Sequence, residues 1–174
     1  MRYLLPAFVA FFFIIEGTWF QVFFPPSTEQ DLHWVPRFAF VTVILISIYR
    51  GSRSGIFYGM GLGLFQDVVY STVIGIYTFS YALVGYMAGF NFRAVQSRPF
   101  VVLLIVVVAV ASLESLIYLM YTWTGIAQVT FEEFAATRLL PSVVLNGAFG
   151  ILLILPLRKF FLMLEDRDRQ QENV

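Results

Sequence analysis

The sequence contains no cysteine, a single histidine and little charge. Without cysteine there are no disulfides, thiolate metal sites or cysteine nucleophiles. Charged residues make up 13% of the 174-residue chain, against roughly 25% in a typical soluble domain. Hydrophobic residues make up 59%, and the mean hydropathy is +0.80. This composition excludes a soluble globular enzyme. Eleven Lys and Arg balance eleven Asp and Glu, so no net charge draws the chain to nucleic acid. His33 stands in a polar segment, Pro25 to Trp34, and reads as a loop residue rather than a proton relay or ligand. No Ser–His–Asp set or metal cluster stands out, and paired carboxylates alone are a weak signal. No catalytic residue, metal or cofactor is therefore expected.

What the chain does have is long apolar runs. Six spans of about 20 residues would use roughly 120 positions and leave too few for an extramembrane catalytic domain. The runs are Leu5–Phe24, Val35–Tyr49, Gly55–Tyr70, Val73–Phe90, Phe100–Trp123 and Arg138–Phe161. The first is too long for a signal-peptide core and no A-x-A-like cleavage site follows, so it reads as a retained span. The second is short, and Arg37 near its start is placed to snorkel to the interface, so the helix is expected to begin about there. In the loop before the last run, "TFEE" matches a capping box, predicting a short helix capped by Thr130. The expected fold is all-α: a polytopic membrane protein with about six transmembrane helices. Residues 1–164 would form a single transmembrane domain and 165–174 a charged cytoplasmic tail.

An even number of spans puts both termini on one side. Arg2, the Arg50/Arg53 turn, the Arg93/Arg98 loop and the four basic residues from Arg158 onward share that side. Only Arg37 and Arg138 lie on the other. The positive-inside rule places both termini in the cytoplasm. Trp19, Trp34 and Trp123 then fall near the outer interface, where amphipathic rings settle.

Several residues invite a closer reading. Gly51, Gly55, Gly59 and Gly63 recur at every fourth position, and Gly85 and Gly89 repeat the spacing. On helices this makes flat ridges where another backbone can approach, within the protein or toward a partner. The phosphate-loop ending is missing. Glu16, Asp67 and Glu114 lie in or beside apolar spans, where charge is costly. With about 1.5 Å of rise per residue, Glu16, Glu114 and Asn146 all fall roughly 12–13 Å below the outer end of their spans. They form a polar layer that reads as a structural clasp, a partner-facing site or a transport site. Arg37 and Arg138 each begin a helix, against the macrodipole. Asp67 or a phospholipid phosphate would compensate them, and an anionic headgroup held by both arginines is a third functional reading.

These features resemble the MreD family of polytopic membrane proteins from the bacterial rod-shape system. The resemblance is carried by "VPRF" (35–38), "IFYGMGLGLFQDVVYSTVIGIYTFSYALVGYMAG" (56–89), "RLLPSVVLN" (138–146) and "LPLRKFF" (155–161). It covers nearly the whole chain and looks strongest toward members from Bacillus-like bacteria. It implies a non-catalytic membrane scaffold supporting sidewall peptidoglycan synthesis and cell shape. It also implies an MreC-like bitopic partner, MreB-like filaments, a RodA-type polymerase and a class B penicillin-binding protein. The implied fold is similar to that of substrate-binding subunits of energy-coupling-factor transporters. That likeness keeps a substrate-binding subunit of a small-molecule transporter open as the alternative.

Overall fold

The computed structural model describes residues 4–23, 33–90, 96, 98–154 and 156. The charged tail and the end of the sixth apolar run lie outside the described residues, as do most of the 25–34 and 91–97 segments. Every regular element described is a helix: α1 (Leu4–Phe23), α2 (Phe38–Arg50), α3 (Ser52–Tyr70), α4 (Ile76–Ala88), α5 (Pro99–Trp123) and α6 (Phe131–Ile154).

The architecture is organised around α2. Each residue from Ala39 to Ile48 is buried, so this helix has no outer face. A helix that is apolar all round belongs at the centre of a core. It packs against α1, α3, α4 and α5. The outer helices show the reverse pattern. Phe57, Phe65 and Val68 on α3, Phe100 and Leu104 on α5, and Val144 and Leu152 on α6 are large, apolar and exposed. Apolar surface on that scale is not solvated by water. Among the described residues, α5 and α6 are long and apolar enough to cross a bilayer, with Leu5–Thr18 and α2 as shorter apolar helices.

Three local features sharpen the sequence expectation. First, α2 begins at Phe38, and 33–37 is irregular. Thirteen residues rise only about 20 Å, short of a hydrocarbon core of roughly 30 Å. Three N–H groups of this irregular backbone are held by α6, as buried polar groups need to be. His33 N–H donates to the Thr137 carbonyl (2.7 Å), and Val35 N–H donates to Ser142 Oγ (3.4 Å). Arg37 N–H donates to Asn146 Oδ1 (2.7 Å).

Second, the short helix capped by Thr130 and the last span are one helix. Glu133 N–H donates to Thr130 Oγ1 (3.4 Å), so Thr130 caps α6 itself. The helix passes Pro141 through a π turn, Ala135–Leu139, in which Leu140 N–H reaches back five residues to the Ala135 carbonyl. Proline has no N–H for the carbonyl four residues earlier. Here that carbonyl belongs to Thr137, and the His33 N–H takes the vacant place.

Third, the glycine ridges face each other inside the molecule. The contact between α3 and α4 is the most extensive in the fold. A Cβ on Gly59 would sit 2.5 Å from the Tyr81 carbonyl oxygen, and one on Gly63 would sit 2.6 Å from Tyr77 O. Gly55 meets Gly85, and Gly89 meets Ser52 and Ser47. The ridge is therefore filled by α4 and the following turn. Of the two alternatives, packing within the protein or toward a partner, the described residues show the first.

Candidate functional site

The polar residues of the core converge where α2 begins. Arg37, 2% exposed, sits at the N-cap of that helix. Its Nε donates to Glu114 Oε1 (2.8 Å) and its Nη1 to the Tyr81 hydroxyl (3.1 Å). The guanidinium carbon lies 5.3 Å from the centre of the Tyr77 ring, within cation–π range. The other oxygen of Glu114 accepts from Arg138 Nε (3.1 Å). One fully buried carboxylate thus serves two guanidinium groups from different elements. Glu16 Oε2 accepts from Ala39 N–H (3.3 Å), so α1 supplies an acidic cap to the first turn of α2. Asn146 Nδ2 donates to the Val35 (2.9 Å) and Ser142 (2.7 Å) carbonyls.

Local sequence explains how these side chains meet. Arg138, Ser142 and Asn146 are spaced four apart on α6, and so are Tyr77 and Tyr81 on α4, so each set shares one helix face. Glu114 lies on the α5 stripe that also buries Val106, Val110, Leu113 and Ile117. Arg37 stands at the N-terminus of α2, where a cation opposes the dipole; Glu114 pairs with it, and Glu16 adds negative charge by capping the same turn.

The structure brings Glu16, Glu114 and Asn146 to one place, all three around the Arg37 segment. It corrects two expectations about the arginines. Arg37 does not snorkel outward; it is buried. Asp67 pairs with neither arginine. Its Oδ1 accepts from Tyr77 N–H (3.0 Å), and Oδ2 accepts from Gly75 N–H (2.9 Å), Thr78 N–H (2.8 Å) and the Thr78 hydroxyl (2.6 Å). It caps α4, which starts after a left-handed Gly75 (φ 107°) and has no side-chain cap of its own. Sequence reading missed Tyr81, Tyr77 and Ser142. The four-residue spacing of Ser142 between Arg138 and Asn146 was the available signal.

Chemically, the Arg37 end of the cluster is closed. Each carboxylate oxygen of Glu114 is taken by a guanidinium, and the Asn146 amide is fully used. Among the described residues no three of His, Asp and Glu group as metal ligands. The arrangement ties α1, α2, α4, α5 and α6 together at one level.

Comparison with known proteins agrees in extent with the sequence resemblance. The family model described as rod shape-determining protein MreD matches residues 1–164. The rod shape-determining protein MreD of Bacillus subtilis (strain 168) is 30% identical over 170 residues, covering 98% of this chain and 99% of that protein. No solved structure matches the chain significantly. This match over nearly the whole chain, borne by a chain of apolar helices, establishes that it belongs to the MreD family of rod shape-determining membrane proteins.

Proposed function

We propose that this protein is a non-catalytic integral membrane scaffold of the elongation machinery. In this reading it crosses the bacterial cell membrane six times with both termini in the cytoplasm. It binds an MreC-like bitopic protein and, through it, supports sidewall peptidoglycan synthesis beside MreB-like filaments, a RodA-type polymerase and a class B penicillin-binding protein. The observation that carries the reading is the use made of the buried ionisable groups. Glu16, Asp67, Glu114 and Arg37 are all committed to holding helices and helix ends. A site for chemistry leaves such groups facing a substrate. A structural frame consumes them.

Because the glycine ridge is filled, a partner's transmembrane helix has to meet the outward apolar residues of the bundle. Crosslinked co-purification of the tagged full chain from native membranes tests the proposal. The expected catch is an MreC-like bitopic protein with cell-wall synthases. Recovery of an energy-coupling ATPase together with a small ligand would instead make the chain a transport subunit of the energy-coupling-factor type, the alternative that the resemblance implied.

A further inference from the structure

A cavity of about 390 Å³ opens beside the clasp, between α5, the 124–130 loop and the start of α6. That size lies within the range of roughly 300–1,000 Å³ typical of small-molecule sites. Its walls include Tyr77, Tyr118, Tyr121, Ile126, Val129 and Arg138.

Three observations define what would fit. The permanently charged side chain in the wall is Arg138, which is 36% exposed. It uses only Nε for Glu114, and among the described residues its terminal amino groups have no hydrogen-bond partner. Glu114 itself is fully buried and also held by Arg37. The wall therefore presents guanidinium N–H groups and no carboxylate, which selects an anion.

The second observation concerns the tyrosines. The Tyr118 hydroxyl donates to the Val129 carbonyl (2.9 Å), and the Tyr121 hydroxyl bonds Ser71 Oγ (2.8 Å). Tyr118 also stacks on Phe134 at 4.3 Å. With the hydroxyls of Tyr118 and Tyr121 engaged, these two rings offer apolar surface. The third is the rim. Ile126 and Val129 are about half exposed, and Trp123 and Phe131, at either end of the loop, are exposed as well. An apolar rim on a membrane-embedded protein admits a ligand from the lipid phase.

We propose that this cavity binds an anionic, phosphate-bearing lipid, its head on Arg138 and its first carbons along Tyr118, Ile126 and Val129. Arginine is well suited to phosphate because its planar fork can donate two parallel hydrogen bonds. The π turn contributes directly, since Thr137 and Arg138 both belong to it and both line the cavity. The proposal rests on the chain being embedded in the membrane.

Native mass spectrometry of the full chain, extracted from membranes and titrated with phosphatidylglycerol or phosphatidylcholine, tests it. One tight phosphatidylglycerol site is expected, with inorganic phosphate unable to displace the lipid. Arg138→Gln should weaken that site at least about tenfold, the scale of one lost charge-assisted hydrogen bond. The Arg37–Glu114 pair survives this change. Ala127→Trp, which fills the cavity from the loop, should abolish the site, and it decides the matter if Arg138→Gln does not fold. Arg98→Gln, an exposed arginine at the start of α5, should leave the site unchanged. Equal loss in Arg98→Gln and Arg138→Gln, or equal binding of phosphatidylcholine, would mean ordinary annular lipid and overturn the proposal. Displacement by inorganic phosphate would overturn its lipid part. Failure of the chain to enter membranes at all would count against the membrane reading instead.

Discussion

A buried carboxylate between two arginines is more valuable as a partner than as a source of stability. Removing one member of a buried pair leaves an uncompensated charge, at a cost of about 3–5 kcal/mol. Glu114→Gln strands Arg37, which is buried, so it should lower thermal stability in detergent by that order. Arg138→Gln should cost much less, because Arg138 is only partly buried and Glu114 keeps Arg37. If the two variants melt alike, the shared-carboxylate account is wrong. Asp67→Asn belongs to the same scale. It weakens an acceptor of three backbone N–H groups at the start of α4, and a lost cap costs about 0.5–2 kcal/mol. Hydrogen exchange at Tyr77 and Thr78 should quicken before the rest of α4 responds.

Helix-scale behaviour depends on glycine and proline. Gly59→Leu and Gly63→Leu drive a side chain into the backbone of α4. Both should abolish folded protein, and partner capture should fall only in step with it. Gly61, on the same helix, has open space around a Cβ, and Gly61→Leu should be tolerated. Folded Gly59→Leu protein that has lost only its partner would restore the partner-facing ridge. Pro141→Ala returns an N–H to α6. The helix can then close its π turn, which rotates Arg138 away from Glu114. A double-mutant cycle between Arg138 and Glu114 should show a smaller coupling in the Pro141→Ala background. An unchanged coupling would mean that the π turn has another cause.

For the whole molecule, the proposed six-span topology can be tested cleanly, because the chain has no cysteine of its own. Gln128→Cys, in the loop between α5 and α6, should react with a membrane-impermeant maleimide on intact cells. Arg53→Cys, in the first turn of α3, should react only after permeabilisation. The reverse pattern would invert the orientation drawn from the positive-inside rule.

The amino-acid sequence alone determined that the chain is helical and apolar, where most helices lie, and which polar residues share a depth. These are properties of composition, of 3.6-residue periodicity and of a fixed rise per residue, so they need no tertiary information. It also placed the glycines on one helix face. Tertiary structure alone decided which partners these groups take. Asp67 and Glu114 are both acidic residues in apolar helices, and nothing local says that one caps α4 while the other holds two arginines. The choice depends on which helix end and which guanidinium the packing brings within about 3 Å. The same holds for Arg37. In sequence it stands at the edge of an apolar run, where a long basic side chain ordinarily reaches the interface. In the fold, α2 is too short to cross alone, the segment before it is drawn into the core, and the arginine goes with it to the carboxylate on α5.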